Sequence, residues 1–190
     1  MSLLYKYSSP LMGVWKIDET EANRSNRREA ERLAINLLLQ NMLGNNPVLG
    51  HKENGMPFLE DNHLNISISH TKGYVAVILS RFTYPGIDIE YPSDRAWRLR
   101  HKFLSDNELY MFARAREEEI KATICWCAKE TAYKTLRESG VDFIKHLHIL
   151  PFKTDSKNGS LLLEETKTIN NQVFTINYQI TDDYILTWKE

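Results

Sequence analysis

The short apolar segment Gly86–Glu90, Gly-Ile-Asp-Ile-Glu, carries two acidic residues. Alternate side chains of a strand share a face, so Asp88 and Glu90 are expected to project in the same direction. Side-by-side carboxylates repel each other unless a cation lies between them, and Mg²⁺ prefers carboxylate oxygens completed by water and substrate phosphate. The spacing is compatible with a magnesium site. It is equally compatible with a solvent-facing strand end that pairs with Arg95 or Arg98.

A third carboxylate, Glu130, falls in a predicted helix over residues 117–137. Trp126, Glu130 and Lys134 are spaced by four residues and therefore share a helix face. An ordinary Glu130–Lys134 ion pair explains this spacing on its own. A carboxylate and an ammonium next to an indole could also bind a metal ion together with a phosphate. Lys129 points about 100° away from Glu130 around the helix and is expected to be structural or solvent-facing.

Side chains able to contact phosphate occur in two further places. Ser69 and His70 end a predicted strand, where a hydroxyl and an imidazole can hydrogen-bond phosphate oxygens. Adjacent strand residues point to opposite faces, so these two are not expected to form a nucleophile–base pair. Arg27, Arg28 and Arg32 lie in the opening turns of another predicted helix. A surface histidine and a solvated helix face remain the alternatives.

These residues need a scaffold of sheets and helices. Alternation and three-to-four spacing predict strands over residues 11–17, 64–69, 74–80, 87–90, 146–152, 161–165, 173–180 and 184–189, and long helices over 23–43 and 117–137. Residues 47–60 are predicted to be a loop, and Ser105 and Glu108 have the spacing of a capping box. The order predicts an α+β fold with two similar halves, 1–85 and 86–190, each a small, mostly antiparallel sheet packed with helices. The first would contribute phosphate contacts, and the second the metal site and long helix, to one catalytic unit.

Composition narrows the class of protein. The chain has 190 residues, 42% of them hydrophobic, and a formal net charge of −1, which gives no general affinity for nucleic acid or an anionic membrane. Cys125 and Cys127 point about 200° apart on a helix, so they are not expected to bridge or to clamp zinc together. The N-terminal residues show no apolar signal core, and no run reaches transmembrane length. A soluble, reduced, cytoplasmic protein is predicted.

Five motifs follow one another in the order typical of one family. They are Gly-Met-Pro (55–57), Ser-Ile-Ser-His-Thr (67–71), Gly-Ile-Asp-Ile-Glu (86–90), Phe-Leu-Ser-Asp-Asn-Glu (103–108) and Trp-Cys-Ala-Lys-Glu-Thr-Ala-Tyr-Lys (126–134). In this order they resemble the 4′-phosphopantetheinyl transferase superfamily, over roughly residues 23–134. The layout is similar to its surfactin-synthetase-activating type, a single chain whose two halves are related by a pseudo-two-fold. That type implies a monomer.

The resemblance implies a magnesium-dependent transfer of 4′-phosphopantetheine from coenzyme A to a serine of an apo carrier protein, leaving 3′,5′-adenosine bisphosphate. It implies Asp88, Glu90 and Glu130 as magnesium ligands and Lys134 as a phosphate contact. Glu130, directly or through a metal-bound water, would accept the serine proton. Ser69 and His70 would help to hold the nucleotide with its 3′-phosphate. Arg32 would reach the coenzyme phosphates, together with Arg28 or Arg27.

Three departures from the family pattern bear on function. Met56 stands where a basic residue is usual, Thr71 replaces a serine, and the usual glycine-rich segment after the long helix is reduced to Gly140–Phe143. Met56 and the altered Gly140–Phe143 segment motivate an alternative, a catalytically degenerate module that binds coenzyme A or carrier protein. A magnesium-dependent phosphohydrolase is a second alternative.

Carrier proteins are generally acidic, so a basic or apolar receiving surface is expected. The candidates for it are Arg95, Arg98, Arg100, Lys102, Trp97 and Phe103.

Overall fold

The computed structural model describes residues 2–8, 10–17, 27–60, 62–112, 118–154 and 156–190, with the backbone alone at residues 4–8 and 111. The chain divides into two compact units, Met1–Ile89 together with Glu190, and Glu90–Lys189. Each unit combines helices with antiparallel strands, which confirms the predicted α+β fold class. The division falls between Ile89 and Glu90, whereas the sequence indicated a boundary near residue 85.

The first unit contains a four-stranded antiparallel sheet packed against one long helix. Its elements are β1 (Ser2–Ser8), β2 (Leu11–Lys16), α1 (Arg27–Leu43), β3 (Leu49–His51), β4 (Pro57–Leu59), β5 (Asn65–Thr71), β6 (Tyr74–Ser80) and β7 (Gly86–Glu90), the last of which ends at the boundary. The strand order in the sheet is β1-β2-β6-β5, and β3 and β4 form a separate hairpin. Strand β1 was not among the predicted strands.

Helix α1 packs on this sheet through a stripe of small and branched apolar side chains. Ala30, Ala34 and Leu38 recur at intervals of four and are buried, as the three-to-four spacing predicts. The helix gives way to Gly44, whose φ of +75° suits the left-handed conformation common after a helix end. Predicted helix residues 23–26 lie outside the described part of the chain. Every residue of β6 is buried, because it lies between β2 and β5.

Two hairpins of this unit, β3–β4 and β5–β6, differ in how well the sequence predicts them. Strands β5 and β6 pair from Thr71 and Tyr74 outward across a two-residue turn, and Gly73 there has a φ of +77°. The loop predicted over residues 47–60 is wrong in part, because β3 and β4 pair within it. Gly50 faces Phe58 in that hairpin, and a Cβ at residue 50 would lie 2.5 Å from the ring.

The second unit places a long helix against an antiparallel sheet with the strand order β11-β10-β9-β8. Its elements are α2 (Arg95–Leu99), α3 (Asp106–Leu109), α4 (Glu118–Leu136), α5 (Phe143–His146), β8 (Leu147–Ile149), β9 (Asn158–Glu165), β10 (Val173–Ile180) and β11 (Ile185–Lys189), with 3₁₀ turns at Arg100–Lys102 and Tyr110–Phe112. The capping box predicted at Ser105 and Glu108 is confirmed at the start of α3.

Helix α4 holds the second core together. Ile124, Ala128 and Ala132 are fully buried, and the hydroxyl oxygens of Thr131 and Thr187 lie 2.7 Å apart between α4 and β11. The two cysteines of α4 are buried and are not joined to each other by a disulfide. Within the described residues, no helix combines the length and the apolar character needed to cross a membrane.

Candidate functional site

Asp88, on β7, is held by a hydrogen bond from a serine of β5. The residue is only 4% exposed, and its Oδ1 accepts a hydrogen bond of 2.7 Å from the Ser69 hydroxyl. The same hydroxyl oxygen accepts the backbone N–H of Ile89 at 3.3 Å. Two residues earlier on β5, the Ser67 hydroxyl accepts the backbone N–H of Ile87 at 3.2 Å. The alternating serines of β5 thus fix the backbone of β7 and one oxygen of Asp88.

His70 points to the opposite side of β5, as alternation predicts. Its ring is exposed, and Nδ1 lies 3.5 Å from Oε1 of Glu31 on α1. Glu31 also accepts a hydrogen bond of 2.8 Å from Nε of Arg27. The Ser69 hydroxyl is engaged with Asp88 and the His70 ring with Glu31, which is consistent with the expectation that they do not form a nucleophile–base pair.

A groove of about 1160 Å³ lies beside His70 in the first unit. Arg28 and Arg32 of α1 line it together with His70, so three of the predicted phosphate contacts meet there. Ser69 is not among the residues that line this groove. The β3–β4 hairpin contributes His51, which no sequence pattern indicates because its strand has three residues only. Two guanidinium and two imidazole groups from α1, β3 and β5 therefore face one space.

Glu90 is oriented by the long helix of the second unit. Its Oε1 accepts a hydrogen bond of 3.0 Å from the indole N–H of Trp126. The ring of Trp126 is flanked by Phe103 in an edge-on contact, at 5.1 Å between centroids, and by Phe143 at 5.7 Å. The sequence placed Trp126 on the same helix face as Glu130 but held no signal for its bond to Glu90. Such a long-range contact depends on the fold.

Glu130 and Lys134 follow Trp126 on α4 at the predicted intervals of four residues. Both side chains are partly buried. Lys129, which precedes Glu130 in the helix, is fully buried rather than solvent-facing. Burial lowers its pKa from the ordinary lysine value, and the neighbouring carboxylate of Glu108 opposes that shift. The structural alternative foreseen for Lys129 is therefore the one observed.

A cavity of about 490 Å³ opens next to Glu90 in the second unit. Its walls are mainly apolar, with Leu99 and Ile144 beside the Phe103, Trp126 and Phe143 rings.

Charged side chains also line this cavity, namely Arg95, Lys102 and Asp142 in addition to Glu90. Asp142 caps helix α5, and the backbone N–H groups of Lys145 and then Ile144 hold the pKa of its carboxyl below the ordinary value. The Asp142 carboxylate thus serves to cap the N-terminus of α5.

The donor set suits a hard divalent cation. Asp88, Glu90 and Glu130 each carry a carboxylate, the type of ligand that Mg²⁺ prefers. A hydroxyl on Asp88 and an indole N–H on Glu90 orient each carboxylate without cancelling its charge. Within the described residues, no three His, Cys, Asp or Glu side chains form a cluster that could hold a metal. The carboxylates of Asp88, Glu90 and Glu130 are each of a type that can bind Mg²⁺.

Comparison with known proteins bears on this arrangement. The chain is 28% identical over 151 residues to a Haemophilus influenzae protein named "Putative 4'-phosphopantetheinyl transferase", an alignment that takes in 73% of this chain and 63% of that protein. The chain thus spans less than two thirds of that relative. The model of the 4′-phosphopantetheinyl transferase superfamily matches residues 84–188, a segment that includes Asp88, Glu90, Glu130 and Lys134. Since this match covers more than half of the sequence, the chain belongs to the 4′-phosphopantetheinyl transferase superfamily.

Proposed function

We propose that the chain transfers the 4′-phosphopantetheine group of coenzyme A to a serine of an apo carrier protein, in a magnesium-dependent reaction. The observation that carries this proposal is the family match over residues 84–188, which contains the oriented carboxylates of Asp88 and Glu90. The products would be holo carrier protein and 3′,5′-adenosine bisphosphate. A cytoplasmic monomer of the single-chain, pseudo-two-fold type is part of the same proposal.

Asp88, Glu90 and Glu130 would hold the magnesium ion. When bound, the ion would neutralise charge on the coenzyme diphosphate and act as a Lewis acid toward it. Ser69 contributes by fixing Oδ1 of Asp88, so its proposed role is to orient a ligand. Trp126 does the same for Glu90. Neutral donors of this kind typically hold a metal ligand in place without competing for its charge.

The groove of the first unit would receive the nucleotide end of coenzyme A. Arg28 and Arg32 offer guanidinium groups, which match phosphate geometry, and His70 and His51 add imidazole N–H donors. Met56 leaves the adjoining hairpin without the cation usual in the family, and His51 stands on the strand paired with Pro57. We assign His51 to the phosphate contacts for this reason.

The reaction itself needs positioning and charge neutralisation more than covalent chemistry. A bond forms between the carrier serine oxygen and the β-phosphorus of coenzyme A, and the bond from that phosphorus to the bridging oxygen breaks. The departing 3′,5′-adenosine bisphosphate carries the electron pair. The serine proton passes to Glu130, directly or through water. Lys134 donates hydrogen bonds to the phosphate oxygens as charge develops on them.

The carrier protein would approach on the second unit. Arg95 and Lys102 border the cavity beside Glu90, and the Arg100 guanidinium stacks on the Trp97 ring at 3.9 Å. Arg98 completes this basic stretch. Positive charge at this rim suits an acidic carrier, and the apolar cavity offers room for the uncharged pantetheine arm.

The test is incubation of the protein with coenzyme A, Mg²⁺ and an apo carrier, followed by intact mass measurement of the carrier. A mass gain equal to the phosphopantetheine arm supports the proposal. Binding of coenzyme A without any mass gain on several carriers would favour the degenerate binding module instead. Cleavage of coenzyme A in the absence of any carrier would favour a phosphohydrolase.

A further inference from the structure

Lys129 is surrounded by acceptors that account for all of its donors. Its Nζ donates to the backbone oxygen of Phe103 at 2.7 Å, to Oε2 of Glu108 at 2.8 Å and to the backbone oxygen of Phe143 at 2.9 Å. An ammonium has three N–H groups, so this set satisfies the side chain. The lysine thereby joins α4 to the two chain segments that carry Phe103 and Phe143.

Glu108 extends the same network on the other side. Its Oε2 accepts the backbone N–H of Ser105 at 2.7 Å and closes the capping box of α3. Its Oε1 accepts the N–H of Ile149, the last residue of β8, at 2.8 Å. The carboxylate is 4% exposed and so binds α3, β8 and Lys129 inside the core. The hydrogen bonds of these two side chains therefore fix Phe103, helix α3, Phe143 and strand β8 to α4.

Two of those segments carry the aromatic rings that flank Trp126. Phe103 and Phe143 are tied to Lys129 through their carbonyl oxygens, and their rings contact the indole whose N–H binds Glu90. The three rings also line the cavity beside Glu90. A continuous path of contacts thus runs from the buried ion pair to a proposed metal ligand.

A gain in folding stability alone does not explain why Glu108 and Lys129 form an ion pair in the core. Replacing a buried ion pair by well-packed apolar residues is often neutral or stabilising, because both charges lose their hydration when buried. Apolar contacts, however, do not fix direction, whereas charge-assisted hydrogen bonds do. The hydrogen bonds of Lys129 therefore fix the positions of the chain segments that carry Phe103 and Phe143.

We propose that Glu108 and Lys129 are a positioning pair that fixes the Phe103–Trp126–Phe143 wall and, through the Trp126 N–H, the carboxylate of Glu90. The functional half of this inference rests on the proposed transfer reaction. Its structural half, the placement of the Trp126 indole, is independent of that reaction.

The test replaces the pair by apolar residues. The variant is Glu108→Leu with Lys129→Met, and the matched control is Lys121→Met, which removes another buried lysine of α4. Lys121 lies 5.1 Å from the Phe152 ring centroid and 5.6 Å from that of Phe112, away from the cavity wall. Each protein is first required to show a cooperative thermal transition. Glu108→Gln, which keeps the shape of the side chain, serves the same purpose if the double variant does not fold.

Two readouts follow. The indole ¹⁵N–¹H resonance of Trp126, assigned by its loss in Trp126→Phe, is expected to shift in the pair variant and stay unchanged in Lys121→Met. The Mg²⁺ concentration for half-maximal transfer is expected to rise by about tenfold, as is typical for loss of a group that orients a metal ligand. The Kd for 3′,5′-adenosine bisphosphate should stay within about twofold, because this molecule lacks the pantetheine arm and the residues proposed to bind it lie in the first unit.

An unshifted Trp126 resonance in the folded pair variant overturns the structural half. An unchanged magnesium requirement, or an equal rise in Lys121→Met, overturns the functional half. Absence of transfer in the unaltered protein refutes the proposed function and, with it, the functional half. The resonance would still decide whether the pair positions the indole.

Discussion

The Ser69 hydroxyl both orients the Asp88 carboxylate and binds the backbone of the strand that carries it. Ser69 donates to Oδ1 of Asp88 and accepts from the Ile89 amide, so its loss would leave two buried polar groups without this partner. Ser67 accepts one amide, that of Ile87. The two serines share a face and a strand, which makes them a matched pair of sites.

Ser69→Ala is predicted to lower the free energy of unfolding by about 1–3 kcal/mol, the usual cost of an unsatisfied buried hydrogen-bonding group. It should also raise the magnesium requirement of transfer, since Asp88 loses its orienting donor. Ser67→Ala should lower stability without changing the magnesium requirement. Urea unfolding and magnesium titrations measure both effects. Equal magnesium requirements in the two variants would show that the Ser69 hydroxyl does not orient a metal ligand.

The exposed cations of the groove give a second residue-scale prediction. Arg32→Gln should weaken the binding of 3′,5′-adenosine bisphosphate by roughly tenfold, because a charge-assisted hydrogen bond contributes about 1.5 kcal/mol or more. Arg81, another exposed arginine of the first unit, is not among the residues that line the groove and supplies the control Arg81→Gln. Isothermal titration calorimetry decides the matter. If the two variants bind equally, the groove does not receive the phosphates.

The burial of Cys125 predicts how the stability of the protein depends on pH. Burial, and then the charge of Glu108, raise the pKa of Cys125 from 9.0 to about 12. Between these two values the folded protein keeps the thiol proton, whereas the unfolded chain has lost it. The contribution of Cys125 to the free energy of unfolding is therefore fully present below pH 9 and falls as pH rises toward 12.

Alkylation by iodoacetamide at pH 8 should accordingly leave Cys125 and Cys127 unmodified in the folded protein and modify both in urea. Mass spectrometry after a short exposure measures this. Rapid modification of Cys125 without denaturant would contradict the burial of α4 in its core.

At the scale of elements, the long periodic segments were predictable and the short ones were not. Helix α4 carries Ile124, Ala128 and Ala132 at fixed intervals, and the burial of β10 alternates from Val173 to Tyr178, so both match their predicted positions. Strands β3 and β4 have three residues each, too few to show alternation. Their pairing depends on Gly50 meeting Phe58, a tertiary contact. His51 was missed for this reason.

Candidate site residues followed the same division. Motif order identified Asp88, Glu90, Glu130 and Lys134 as a set, and all four lie in the matched segment. The donors that orient them did not follow from spacing. The bonds from Ser69 to Asp88 and from Trp126 to Glu90 join residues 19 and 36 positions apart. Only the folded chain brings such partners together.

The ion pair that links α3 to α4 gives the element-scale prediction. Lys129→Met alone should cost about 3–5 kcal/mol of unfolding free energy, because it leaves the Glu108 carboxylate buried without its counter-charge. The double variant Glu108→Leu/Lys129→Met should lose less than the single variant, since both charges are gone. Urea unfolding of the two proteins measures the difference. A double variant less stable than Lys129→Met would show that packing, not the stranded charge, sets the cost.

At the scale of the whole molecule, the two units carry different parts of the proposed chemistry. The first presents the cationic groove and Asp88, and the second presents Glu90, the aromatic cavity and helix α4. Phosphoryl transfer requires both a held nucleotide and neutralised charge at the reacting phosphorus. The account therefore predicts that no single unit performs the transfer.

The most direct test of this account is intact mass spectrometry of an apo carrier after incubation with coenzyme A, Mg²⁺ and either the unaltered protein or Asp88→Asn. Asparagine keeps the shape of the buried side chain and an oxygen that can accept the Ser69 hydrogen bond, so the variant is expected to fold. The account predicts the full phosphopantetheine mass gain with the unaltered protein and a loss of at least about 100-fold in rate with Asp88→Asn, in line with removal of a charged metal ligand. Magnesium-dependent transfer at an unchanged rate by folded Asp88→Asn would contradict it.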